Sequence, residues 1–175
     1  MRNICCLFGF VFVFFFFACT RESKSDVYNE VKHMIGRQVF FPSNIKILTY
    51  DGKTKDYLFR DGYKILFVAD STNCVPCKLK LDKWFFEIKK IDSISSSNVE
   101  FCLVMRRTKQ KDILPYLRSV NFSYPIMLDM ADSICKKNHF FSNNDYYNCF
   151  LLDRKNNIIL VGNPTYSSNI EDLYI

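Results

Sequence analysis

Cys74 and Cys77 stand two residues apart in Asn73-Cys74-Val75-Pro76-Cys77-Lys78, between the apolar run Ile65–Ala69 and a helical pattern opening near Leu79. That spacing brings two sulfurs within bonding reach. At a helix start, the first sulfur meets unpaired N–H groups and the positive end of the helix dipole. Such a setting favours thiolate and can lower a cysteine pKa from near 8.5 to roughly 3.5–7.5. Pro76 suits a first helical turn, where its missing N–H is not needed. Three chemistries remain open: reversible dithiol–disulfide exchange, a fixed structural disulfide, and metal binding. A tetrahedral metal site needs further ligands. The candidates are Cys135 with His139, spaced C-x3-H, and Cys149; with no second paired motif, no metal and no cofactor is expected. His33 and His139 are isolated, and neither forms a recognisable nucleophilic pair with a cysteine.

The remaining cysteines divide by context. Cys5 and Cys6 belong to an apolar leader, and Cys19 directly follows it. Cys102 falls inside a buried-strand pattern and is expected to be inert core. Cys135 is expected on a short helix as a surface or half-buried thiol. Cys149 is expected near the CxxC face, where a third redox or regulatory role is conceivable. Five cysteines beyond Cys19, in a chain of 175 residues, do not form a disulfide scaffold.

The elements that must position the CxxC follow from hydrophobic periodicity. Val27–Gly36 reads as an amphipathic helix with Val27, Val31, Met34 and Ile35 on one side. Val39–Pro42, Ile45–Tyr50 and Tyr57–Phe59 read as short strands, with turns at Asp51-Gly52 and Asp61-Gly62. Ile65–Ala69 and Val99–Met105 are short continuous apolar runs, as in strands buried on both faces. Between them, Leu81, Trp84, Phe85, Ile88 and Ile91 recur at helical spacing, and Ser93–Ser97 ends that helix. Asp112 is expected to cap a helix over Ile113–Val120, with Pro115 in its first turn. Tyr124–Leu128 reads as a third buried strand and Asp132–Asn138 as a short helix. Cys149–Asp153 and Ile158–Val161 read as a hairpin, and Ser167–Tyr174 as a final helix. The pairs Tyr146-Tyr147 and Phe140-Phe141 could line a peptide groove or pack in the core. The order predicts an α/β domain: a central mixed sheet with helices on both faces.

Length and composition allow one well-packed domain. The net charge of +6 is carried by scattered lysines and arginines. The Arg106–Lys111 cluster has no interleaved aromatic or glycine pattern, so nucleic acid is not an expected partner. Arg2 precedes an apolar run from Ile4 to Ala18. Fifteen residues make about 22 Å of helix, short of the ~30 Å bilayer core, which reads as a secretory signal peptide over residues 1–18. Phe16-Phe17-Ala18-Cys19 resembles a bacterial lipobox. That resemblance implies lipidation of Cys19, a tether over 19–26, and an exported lipoprotein held at a membrane facing the periplasm. Ordinary cleavage leaving a free Cys19 is the alternative.

With motif, strand, helix and hairpin in this order, residues 62–175 resemble the thioredoxin-like fold, in particular membrane-tethered thiol–disulfide oxidoreductases of the TlpA and ResA type. Residues 27–61 then form an N-terminal extension. Cys74-Val75-Pro76-Cys77-Lys78 matches the family's Cys-x-Pro-Cys-Lys, which implies Cys74 as attacking thiol, Cys77 as resolving thiol and a Cys74–Cys77 disulfide in the oxidised state. The implied partners are thiols and disulfides of exported proteins, with an upstream redox donor. The chain departs from the family at three places. Asn73 replaces the usual Trp, and Val68 stands where cytosolic thioredoxins bury an acid, while Asp70 is expected to cap the loop. Tyr147 occupies the position of the family's cis-proline beside the site. A cis bond there would cost about 3–4 kcal/mol over trans, so trans is expected, as it is at Pro125.

Overall fold

The computed structural model describes residues 24–70, 79–95, 99–142 and 144–174. Helix α1 (Lys24–Met34) is followed by strands β1 (Lys46–Leu48), β2 (Thr54–Asp56) and β3 (Tyr63–Asp70). Then come α2 (Leu81–Ile94), β4 (Val99–Arg106), α3 (Gln110–Ser119), β5 (Ile126–Asp129) and α4 (Ser133–Lys137). Strands β6 (Cys149–Leu152) and β7 (Ile158–Val161) and the short α5 (Ser168–Glu171) complete the order. Seven strands form one sheet, β2-β1-β5-β4-β3-β6-β7. Strands β3, β4 and β5 are parallel, and the flanking pairs are antiparallel.

The apolar runs become the central strands because alternate residues feed two cores. Ile65, Phe67, Ala69, Leu103 and Met105 face α2 and α3, meeting Leu81, Trp84, Ile88, Ile113 and Leu117. Leu66, Val68, Cys102 and Val104 face the other way, toward Met34 of α1 and Ile134 of α4. Helices therefore cover both faces, as the sequence predicts. The stretch 27–61 supplies two strands of the same sheet, β1 joining it through β5.

Several boundaries differ from expectation for local reasons. Val39–Pro42 is not a strand; only Gln38 makes a bridge, to Asn157. Tyr57–Phe59 is not a strand either, and the exposed Thr54–Asp56 takes the edge instead. The Tyr57 N–H still reaches the Ile45 carbonyl (3.1 Å), one rung beyond the β1–β2 pairing, and its ring packs edge-on to Phe59 over the core. Ile35, expected on the apolar side of α1, is exposed. Helix α3 starts at Gln110, not Ile113, so Asp112 lies inside the first turn near the positive dipole end rather than capping it. Pro115 is accordingly one turn deeper than expected and removes the bond to the Lys111 carbonyl. The final helix is only Ser168–Glu171, preceded by a 3-10 turn at Pro164–Tyr166.

Candidate functional site

Cys74 and Cys77 follow the C-terminal end of β3 in the chain, and they lie outside the described residues together with Asn73, Val75, Pro76 and Lys78. Cys19 and the leader lie outside them as well. What the structure does describe is the frame on either side. The chain enters this segment at Asp70, the last residue of the central strand β3, and leaves it at Leu79, which is fully buried. Leu79 is helical, as expected, but Lys80 adopts a left-handed conformation (φ 44°, ψ 49°) that separates it from α2 at Leu81. The Lys80 carbonyl still accepts from Trp84 N (3.0 Å).

Three parallel strands end on charged residues in one row. Asp70 stands beside Arg106, and Arg106 beside Asp129. Asp70, expected to cap the loop that follows, pairs with Arg107 and, at 3.9 Å, with Arg106; the loop itself lies outside the described residues. Arg106 makes a two-pronged bond to Asp132. Asp129 turns onto the start of α4, accepting from Ser133 N and Ile134 N at 2.8 Å each. Sequence reasoning missed this row. Its only trace is that each apolar run closes on a charge, at Asp70, Arg106 and Asp129, and the register that aligns them is not written in any one segment.

Tyr147 sits against the same end of the sheet. Asn148 O accepts from Val68 N (2.9 Å), which brings Tyr147 beside the last turns of β3, and the ring is 7% exposed. No cis peptide bond occurs among the described residues, so the bonds before Tyr147 and Pro125 are trans, as expected. The Asn148 amide fixes the loop by accepting from Ser142 N (2.9 Å) and donating to Ser142 O (2.7 Å). Tyr146 is half-buried and meets both Tyr147 and Tyr166. Over the Tyr166 ring lies the Lys80 ammonium, 3.5 Å from the centroid, and loss of hydration, aided by nearby Lys83, lowers its pKa. Phe140 and Phe141 stack on each other, and Phe141 meets core Phe150; the packing alternative holds for that pair. Val68 is buried among apolar side chains.

None of the three described thiols is set up to ionise. Cys149 pairs with Phe67 in register and is fully buried, facing the α2 side. Burial pushes its pKa up to about 12, despite a 3.8 Å contact with the Tyr174 hydroxyl. That environment opposes the redox role conceived for it. Cys102 is fully buried and raised well above the ordinary value, in keeping with inert core. Cys135 is half-buried beside Asp132, and desolvation raises it to about 12. His139 is exposed, and among the described residues no group of three or more His, Cys, Asp or Glu side chains is placed to hold a metal ion.

No family model matches the chain, and no curated protein matches it. Solved structures do. The reduced 2-Cys peroxiredoxin of Plasmodium vivax superposes with a TM-score of 0.55 at 15% identity, over 81% of this chain and 94% of that one. StoA of Bacillus subtilis gives 0.51 at 19% identity, over 75% and 96%. A thiol:disulfide interchange protein of the thioredoxin family from Chlorobium tepidum gives 0.51 at 17%, over 79% and 97%. The fold is thioredoxin-like.

Proposed function

We propose that the protein exchanges disulfides with exported proteins through Cys74 and Cys77, while held at a membrane by a lipid on Cys19. The observation that carries this reading is the position of the motif in the chain. It falls between the last residue of the central parallel strand and the helix that follows, on a thioredoxin-like sheet. In the reducing direction, the Cys74 thiolate attacks one sulfur of a substrate disulfide. A mixed disulfide forms and the other substrate sulfur leaves as a thiolate. The Cys77 thiolate then attacks the Cys74 sulfur, forming the 74–77 bond and releasing the second substrate thiol. Two electrons have passed to the substrate, and an upstream dithiol donor restores the pair. In the oxidising direction every step runs backward.

A Cys77→Ser variant tests this reading by removing the resolving step. It is expected to accumulate substrates linked to residue 74, resolved on a non-reducing gel and released by reductant. Only unlinked protein, under conditions where a thioredoxin with the same change traps partners, overturns it.

Tyr147, in place of the family's cis-proline, favours one competing reading: a binding lipoprotein whose Cys74–Cys77 disulfide only pins a loop. That bond would resist the glutathione pool, with a potential below roughly −300 mV. Equilibration in a graded thiol buffer separates the two, since an exchanging pair titrates above that value.

A further inference from the structure

Helix α1 leaves an unusual face in water. Tyr28 is 63% exposed and Ile35 44%, and with Lys32 they fall at i, i+4 and i+7, one stripe along the helix. The Lys32 ammonium lies 5.8 Å from the Tyr28 ring centroid. Just past the helix, Phe40 is 56% exposed. Arg37, also exposed, is held by a bond from its Nε to the His33 carbonyl (2.7 Å) and lies over the Phe140 ring. The β6–β7 turn adjoins this face, because Gln38 bridges to Asn157 and its side chain donates to the Lys155 carbonyl (2.9 Å). Arg154 and Lys155 are exposed there. Asp153 is the acid of that turn, engaged by Lys155 N and Asn157 N. Glu30 of α1 is half-buried on the side toward His139 and Phe140. Among the described side chains, the face thus combines two aromatic rings, aliphatic bulk and four cations, with Asp153 engaged by backbone N–H groups and Glu30 half-buried to one side.

We propose that this face lies on the surface of a bilayer containing anionic phospholipid, with Tyr28, Ile35 and Phe40 at the headgroup level and Lys32, Arg37, Arg154 and Lys155 among the phosphates. The proposal rests on the anchor reading of Cys19 for proximity. Cys19 is five residues before Lys24, and five residues span at most about 18 Å. A lipidated Cys19 therefore keeps the start of α1, at Lys24, within that distance of the headgroups. Amphipathic aromatics and cations with long apolar stems are the side chains that settle at such an interface.

The sheet then orients the thiols. Gly36 N donates to the Ile158 carbonyl (2.8 Å) and Ile158 N to the Arg37 carbonyl (2.9 Å). Ile158 stands opposite Leu152, and Leu152 opposite Lys64. The Gly36–Gln38 end of this face therefore lies level with the Lys64 end of β3. The chain runs from there to Asp70, about 20 Å along the strand, before it reaches Cys74. Docking on α1 holds the bilayer at one end of the sheet and leaves the motif-bearing end turned to the aqueous phase.

The full-length protein, processed in a bacterial host and reconstituted into vesicles of phosphatidylethanolamine and phosphatidylglycerol with brominated acyl chains, tests this arrangement. In Tyr28→Trp, the emission added over that of native Trp84 is expected to be quenched at least twofold by brominated lipid. In Phe86→Trp, at an exposed position of α2, the added emission is expected to be unquenched. Arg37→Glu in the Tyr28→Trp chain is expected to relieve the quenching. Equal quenching of the two reporters, or none at Tyr28→Trp, overturns the docking. Mass analysis of Cys19 reports the anchor separately. If Cys19 is not acylated, the anchor reading fails, and quenching of the unacylated chain at low salt decides the surface by itself: its presence supports docking and its absence overturns it.

Discussion

Arg106 grips Asp132 with two parallel bonds, Nε to Oδ1 at 2.5 Å and Nη2 to Oδ2 at 2.8 Å, across the end of the sheet where β3 delivers the chain to the CxxC. The same guanidinium reaches Asp70, and Arg107 pairs with the same Asp70 oxygen. Two carboxylates and two guanidiniums thus fix the ends of β3 and β4 and the start of α4 relative to one another. A bidentate pair of this kind is directional as well as attractive.

The pair has a pH signature. Arg106 holds the Asp132 carboxyl below its ordinary 3.8. A depressed folded-state pKa means the stabilisation is fully present above that ordinary value and is lost as pH falls through the lower, folded one. Asp132→Asn is expected to cost about 1 kcal/mol at pH 7, because the group is partly solvated. The difference from the parent should shrink as pH falls below 3.8, where the unfolded carboxyl protonates first, and vanish only below the lowered folded-state pKa. Urea titrations at pH 7 and pH 3 measure it; an equal difference at both values would refute an ionic origin.

The described thiols make the opposite prediction at high pH. Cys149 and Cys135 are each raised from 9.0 to about 12, chiefly by burial. The folded state therefore favours the neutral thiols, and stability is lost as pH rises above 9, where unfolded thiols ionise freely. In native protein at pH 8, iodoacetamide is expected to leave Cys102 and Cys149 unmodified and to react slowly at Cys135. Peptide mapping checks this. Rapid native labelling of Cys149 would show that the Tyr174 end of the chain does not seal it.

Much of this architecture is legible in sequence because burial repeats along a segment. Ile65–Ala69, Val99–Met105 and the Trp84 stripe each carry their own period, and the hairpin at Cys149–Val161 carries its turn. What is not legible depends on meetings between segments. Nothing local says that Asp70, Arg106 and Asp129 end in one row, since that requires the register of two strand pairs. Tyr57 and Phe59 alternate like strand residues, yet the alternation serves a crossover that lies on the core. Lys80 offers no glycine to announce its left-handed backbone, and the basic run at Lys109–Lys111 hides the true start of α3.

Trp84 supplies the sharpest test of packing against hydrogen bonding. It is fully buried and tilted against Phe67 at 5.6 Å, yet its Nε1 has no hydrogen-bond partner among the described residues. A buried unsatisfied donor costs about 1–3 kcal/mol. Trp84→Phe removes the orphan N–H along with part of the ring, so the two effects oppose each other, and the net loss is expected to stay below about 1.5 kcal/mol. Trp84→Ala removes the whole ring from between β3 and α2 and should cost about 3–5 kcal/mol. Denaturant midpoints of the two variants decide the matter. If Trp84→Phe proves as damaging as Trp84→Ala, the indole N–H is satisfied in solution, and the packing of α2 on the strand that leads to Cys74 depends on that bond.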